Sequence, residues 1–332
     1  MKRLYVALCF TFVFSSCIKD DTSQAGGTPL ENFNLLWHEV NDNYCYLDYK
    51  EVDWNSIGDE YRGKVHDGMS DEALFEVCAD MLSELKDGHV NLYSHFNTSR
   101  YWDWFLAYPQ NFNNTIVERN YLGENYIIAN RLSSQNIRGV GYLRCASFMD
   151  SFSFSNIDAA VNQLGEIEGL IIDVRDNGGG IVNMAKLLAS AFCSAKTHYG
   201  YLQYKEGKGD DNYSDYFARY LEPQDKVVFS GKIVVLANRL SYSATNDFVS
   251  AMSCLDNVTI IGDKTGGGGG LPFSSELYNG WQVRLSRNPL FNKDKEHIEF
   301  GIEPDIYVDM DKDDEYNGID SIIEYAIKYL GQ

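Results

Sequence analysis

Cysteine is sparse and scattered in this chain. Seven occur in 332 residues, with no Cys-x-x-Cys pair and no other tight spacing. That argues against a cysteine-built metal site and against a disulfide framework. Cys45, Cys78, Cys145, Cys193 and Cys254 read instead as core thiols, four of them inside apolar strand- or helix-like segments. Positive charge is also short: 28 Lys and Arg face 48 Asp and Glu, a formal charge of −20. So acidic a surface repels phosphates and argues against a DNA or RNA partner. Solubility outside a cell accounts for it equally well. After the first residues no apolar run is long enough to cross a membrane as a helix. There is no internal repeat.

What is present begins with MKRLYVALCFTFVFSSC. Lys2 and Arg3 form a basic start, Leu4–Phe14 an apolar core, and Ser15-Ser16 a small-residue cleavage site. With Cys17 following directly, the segment resembles a bacterial lipoprotein signal. An ordinary secretory signal with a chance cysteine is the other reading. The resemblance implies removal of residues 1–16 and lipidation of Cys17, hence a membrane contact through that anchor. The polar residues up to position 30 read as a tether, 17–30. Lys19-Asp20-Asp21 resembles the surface-export signal of Bacteroidetes lipoproteins, so the expected location is the cell envelope, on either face of the outer membrane. The remaining chain, about 300 residues, suits one large or two modest domains.

Helical spacing marks Glu31–Val40 and Ser70–Leu85, the latter with Ser70 as a cap. His89–Tyr93 alternates like a strand. Residues 31–94 are expected to form a small helical subdomain and 95–139 a connecting region of irregular chain and short strands. The aromatic stretch SRYWDWFLAYPQNFNN lies there, suited to packing or to lining a groove. From Val140 the pattern alternates. Strands are expected at 140–146, 169–174, 233–237 and 258–261, with helices at 155–164, 182–192 and 244–252. Further strands are expected near 281–285 and 306–308, and a helix at 319–330. Apolar strands alternating with amphipathic helices indicate an α/β layer with largely parallel pairing over 140–332.

The segment KIVVLANRLSYSATNDFVSAM (Lys232–Met252) reads as a buried strand, a turn and a helix. Ser243 falls at the junction, where unpaired amides favour negative charge. It or Ser241 caps the helix, or Ser243 is a nucleophile. A second junction, GLIIDVRDNGGGI (Gly169–Ile181), ends a strand in Gly178, Gly179 and Gly180. Their amides suit an oxyanion. No Lys-Ser or Lys-Thr follows, so this is not a P-loop, and G-x-G-x-x-G spacing is not met. Arg175 and Asp176 are expected to brace the turn by pairing. A nucleophilic serine needs a base, and of six histidines His89 opens a strand after the LKDGH turn. A histidine base needs a carboxylate, and HIEFGIEPD offers Glu296, Glu299 and Glu303.

Five segments in this order resemble the C-terminal processing and tricorn-core serine peptidases: LKDGHV, GLIIDVRDNGGG, RLSYSATNDF, IIGDKTGGGGG and FGIEPDIYVD, spanning Leu85 to Asp309. The resemblance implies a β-α-β spiral core like the ClpP and crotonase folds. Only 50 residues separate His89 from Val140, too few for the PDZ domain that the family often inserts. The family's nucleophile matches Ser243. The processing branch places a lysine in the glycine loop, where Gly268 stands here. The tricorn-like branch implies Ser243, His89 and Glu299, with Glu303 in reserve, and amides of Ala244 and of Gly179 or Gly180 as the oxyanion hole. That branch's serine beside the histidine is replaced by Gly88. No metal or organic cofactor is implied, and the expected substrate is a protein or peptide. Two alternatives stay open: a Ser243–Lys264 dyad, and a non-catalytic lipoprotein that binds peptides or hydrophobic ligands on the same fold.

Overall fold

The structure, a computed structural model, describes residues 26–209 and 212–331. The expected signal peptide, Cys17 and most of the expected tether lie outside them. The elements are α1 (Pro29–Asn43), α2 (Trp54–Arg62), α3 (Asp71–Ser83), β1 (Asn91–Tyr93), α4 (Asp103–Leu106) and α5 (Asn114–Ile116). After a wide helical turn, Val117–Leu122, come β2 (Ile127–Ala129), β3 (Leu132–Ile137), β4 (Val140–Cys145), α6 (Phe154–Asn162) and β5 (Gly169–Asp173). Then follow α7 (Val182–Ser190), β6 (Thr197–Leu202), β7 (Phe217–Leu221), β8 (Ile233–Ala237), α8 (Ala244–Met252) and β9 (Val258–Gly262). The chain closes with β10 (Gly270–Glu276), β11 (Gln282–Asn292), β12 (Ile306–Tyr307), α9 (Lys312–Tyr316) and α10 (Ser321–Leu330).

Helix α1 starts at Pro29 because Thr28 and Glu31 form a reciprocal capping box. Ser70 caps α3 as its sequence suggests. Helix α2 is short, with Trp54, Ile57 and Tyr61 on its inner face, and Gly58 stands in its middle. A Cβ at Gly58 would meet the Trp37 indole at 2.1 Å, so the missing side chain lets α1 and α2 close together. Trp37 and Trp54 each donate an indole N–H to the other's carbonyl across that contact. The apolar faces of these helices bury Phe33, Leu36, Leu74 and Met81. Residues 31–94 do not close this core alone. Leu277, Trp281, Val283 and Leu285, from the β10–β11 hairpin, complete it.

Residues 95–125 hold short helical turns rather than the expected short strands. Strands β2 and β3 already belong to the main sheet, which therefore begins before residue 140. Its order is β12-β9-β8-β5-β4-β3-β2, parallel from β12 to β4 and antiparallel beyond. Every residue of β4, β5 and β8 is buried, as unbroken apolar runs require when both faces are covered. Helices α6, α7 and α8 cover one face, with Ile157, Leu188 and Phe248 in that core. Helix α10 and the 117–122 turn cover the other with Ile322, Ile323 and Tyr121. A second sheet joins β1, β11, β6 and β7, with β10 also on β11.

Arg175 does not pair with Asp176. Its guanidinium lies under the sheet between Asp173 (2.6 Å) and Asp320 (3.0 Å), all three side chains fully buried. Asp176 has a left-handed backbone, φ 54°, and accepts from the Asn238 amide instead. The arginine thus clamps the end of β5 to the start of α10. Arg175→Met should destabilise the fold by about 3–5 kcal/mol, because buried Asp320 loses its counter-charge and buried Asp173 keeps only the more distant Arg144. Urea unfolding measures this, and a loss below about 1 kcal/mol would contradict the clamp.

Candidate active site

The carboxyl ends of β5 and β8 lie side by side, with Asp173 opposite Leu236. Ligand sites form there in open parallel sheets. Ser243 stands between β8 and α8 with φ 58° and ψ −119°. A non-glycine residue in this region is strained by about 1–3 kcal/mol and must be held by its surroundings. Its N–H donates to the Gly267 carbonyl at 2.8 Å, and the neighbouring Tyr242 N–H donates to Asn177 at 3.1 Å. The Ser243 side chain caps nothing. Ser241 is the turn's brace, its Oγ donating to the Val174 carbonyl and accepting from the Asn238 N–H.

The Nε2 atom of His89 lies 2.9 Å from Ser243 Oγ, although 154 residues separate the two. Asp87, two residues before the histidine, accepts the His89 N–H at 2.7 Å and so shapes the turn. Its other oxygen accepts from the Tyr44 and Ser286 hydroxyls at 2.9 and 3.0 Å. Lys50 Nζ sits 3.7 Å from Asp87 and 2.7 Å from Glu299. Burial pushes the His89 pKa down to about 4, against the attraction of Asp87. The ring is therefore neutral at pH 7 and able to accept a proton. Burial favours a neutral Asp87, yet the charges of Lys50 and His89 hold it below the usual carboxylate range. Burial, then the nearby Asp87 charge, push Glu299 above that range.

The expected contact between Glu299 and the imidazole is not made. Glu299 is committed to Lys50 and to the Gly269 N–H at 2.9 Å. Among the described residues His89 Nδ1 is buried without a partner at full hydrogen-bond geometry, although the Gly270 carbonyl favours the protonated ring. Glu303 faces outward and pairs with Lys264 at 2.7 Å, which takes both the reserve acid and the alternative base away from Ser243. Lys50 and Asp87 carried little signal in sequence. Asp87 lay in view two positions before His89, whereas nothing local marks Lys50.

Ala244 N–H is the first amide of α8, one of those a helix leaves unpaired. Of the expected glycine donors, Gly179 is already bonded to Asn177 Oδ1 at 3.0 Å. That leaves Gly180, whose N–H has no acceptor among the described residues. Gly179 matters sterically. With φ 96°, a Cβ there would lie 2.9 Å from both Ala244 N and Ser243 Cβ, filling the space beside the nucleophile.

His89, Ser243, Ala244 and Gly180 line one cavity of about 680 Å³, with Val182, Leu271 and Leu290 on its apolar side. Trp104, from the aromatic stretch, stacks on Tyr242 at 4.1 Å and walls the cavity. This wall accounts for both departures from the resembled motifs. A Cβ at Gly88 would meet Trp104 Nε1 at 2.5 Å and Tyr242 OH at 2.9 Å. One at Gly268 would lie 2.4 Å from the Tyr242 ring, so a loop lysine has no path to Ser243 from there.

A serine hydroxyl on a strained turn, a neutral buried histidine and free amides beside them define the site of a serine hydrolase. The chain belongs to peptidase family S41, whose model matches residues 139–308. The C1 domain of tricorn protease matches residues 28–83. A carboxy-terminal-processing protease of Bartonella bacilliformis is 26% identical over 188 residues, covering 54% of this chain and 41% of that protein. The match thus spans well under half of that relative. A structure from Parabacteroides merdae, described as a candidate peptidase, is 44% identical with a TM-score of 0.88, covering 92% of this chain and 97% of that one. Mature CPAF complexed with lactacystin shares the fold at 14% identity, TM-score 0.67, covering 91% of this chain and 97% of that one. The α/β core expected from sequence is the fold of these S41 structures.

Gly88→Ser should cost about 1–3 kcal/mol through overpacking against Trp104 and Tyr242. Urea unfolding checks it, with Trp104→Ala in the same background expected to return part of the loss.

Proposed function

We propose that this chain is a serine endopeptidase in which Ser243 attacks the peptide carbonyl and His89 is the general base. The 2.9 Å contact between them carries the reading. Ser243 Oγ bonds to the carbonyl carbon while its proton passes to His89 Nε2. The oxyanion is held by the N–H groups of Ala244 and Gly180. His89 then protonates the leaving amine, and water releases the acyl group by the same route. The orienting acid expected at Glu299 is replaced by Asp87, which stays anionic and stabilises the imidazolium through the field and the turn. Glu299 acts one step removed, through Lys50.

A fluorophosphonate probe tests this. Labelling should be lost in Ser243→Ala and fall about 100-fold or more in His89→Ala. It should persist in Lys264→Ala. Persistence in His89→Ala with loss in Lys264→Ala would overturn the assignment. Because His89 must be neutral and its pKa sits near 4, kcat/KM should stay level from pH 8 to 6 and fall only towards pH 4. An acid limb near pH 6.5 would place the ring in water instead.

We further propose that Cys17 is lipidated and tethers the enzyme to the cell envelope at the outer membrane. The basic start, apolar core and small residues before Cys17 support this. Radiolabelled palmitate should mark the wild-type chain and not Cys17→Ser, which should appear in the soluble fraction.

A further inference from the structure

Arg284 lies on β11, opposite Asn91 of β1 and Ser274 of β10. Strand alternation sends Val283 and Leu285 into the N-terminal core. Arg284 and Ser286 therefore point the other way. Ser286 reaches Asp87, and Arg284 lines the cavity that holds Ser243 and His89. Its guanidinium makes no hydrogen bond or ion pair among the described residues, in a chain with 48 acidic side chains. By contrast Arg175, Arg219 and Arg239 are each paired with a carboxylate. The positive charge is close enough to His89 to favour the neutral ring. An arginine fork left open inside a cleft whose other wall is apolar has five donors and nothing to bind.

We propose that Arg284 is a substrate-binding subsite for a carboxylate, carried by the peptide that occupies the cleft. The carboxylate is either an Asp or Glu side chain or the α-carboxylate of a peptide ending in the cleft. Either satisfies the guanidinium with two parallel charge-assisted hydrogen bonds. The acidic exterior repels such peptides, so a local cation decides whether they are accepted. The proposal rests on the peptidase reading for its position and sharpens it to a substrate class.

The test uses four peptides of one sequence: Glu or Gln at the variable position, each with a free or amidated C-terminus. Wild-type kcat/KM should favour one carboxylate form over its amide by about 10-fold, the span of one charged hydrogen bond. Which pair shows the ratio identifies the carboxylate's source. In Arg284→Gln the ratio should collapse to about one, and in Arg284→Lys it should partly persist. Equal rates for all four peptides, or a ratio unchanged in Arg284→Gln, would overturn the subsite while leaving the peptidase reading intact. If wild type cleaves none of them, binding to the Ser243→Ala protein by fluorescence anisotropy decides. Carboxylate-dependent binding lost with Arg284→Gln would keep the subsite, and the peptidase reading would then stand or fall with the fluorophosphonate labelling of Ser243. Binding indifferent to the carboxylate would remove the subsite.

Discussion

One buried carboxylate, Asp87, joins four parts of the chain. It accepts the His89 N–H in its own turn, the Tyr44 hydroxyl from the end of α1 and the Ser286 hydroxyl from β11. Lys50 supplies the nearest cation. A charge taken this far from water survives only if its lone pairs are filled and a counter-ion is near. Each partner is thus fixed by the others. His89 inherits its position from this arrangement, since its turn cannot shift without breaking the Asp87 contacts. Lys50 and Glu299 add a second carboxylate to one ammonium, so the cluster holds more acid groups than cations. Burial and the Lys50 charge keep the resting imidazole neutral, while of these groups Asp87 favours a proton on it.

The other half of the site depends on backbone geometry. Ser243 keeps its strained conformation because Gly267 accepts its own N–H and Asn177 accepts that of Tyr242 before it. Gly179 and Gly268 are glycine for a shared reason: each lies against the Tyr242–Ala244 turn where a Cβ would collide. The cavity is thus shaped partly by absent side chains. Tyr242 and Trp104 take up the room that a loop lysine would need.

Much of this was legible in the sequence. The parallel strands, the Ser243 junction and the glycine turn follow from local patterns, because an apolar run followed by a turn and a helical period is written in consecutive residues. Ser243 and His89 were paired by motif, and the fold brings them together. What escaped is non-local. Glu299 was assigned to the imidazole, but Lys50 claims its carboxylate from 249 positions upstream. Helix α2 is absent from the expected helices although Trp54, Ile57 and Tyr61 mark one face; the reason for Gly58 at its centre, the ring of Trp37, is non-local. Strands β6 and β7 mix polar and aromatic residues on an open sheet, so no alternation marks them.

The hairpin from β10 to β11 completes the N-terminal core and also pairs with β1 beside His89. Order of synthesis therefore bears on chemistry. A growing chain carries both members of the Ser243–His89 pair well before residues 270–292 exist. Until then the helical unit lacks part of its core, and the histidine turn lacks Ser286 and the strand that anchors it. Contacts of such long sequence separation are slow to form, because loop closure must come first. On this account the His89 turn is not fixed against Ser243 until the β10–β11 hairpin has been made and docked. The path of the backbone alone thereby ties the placement of His89 to the completion of the N-terminal core.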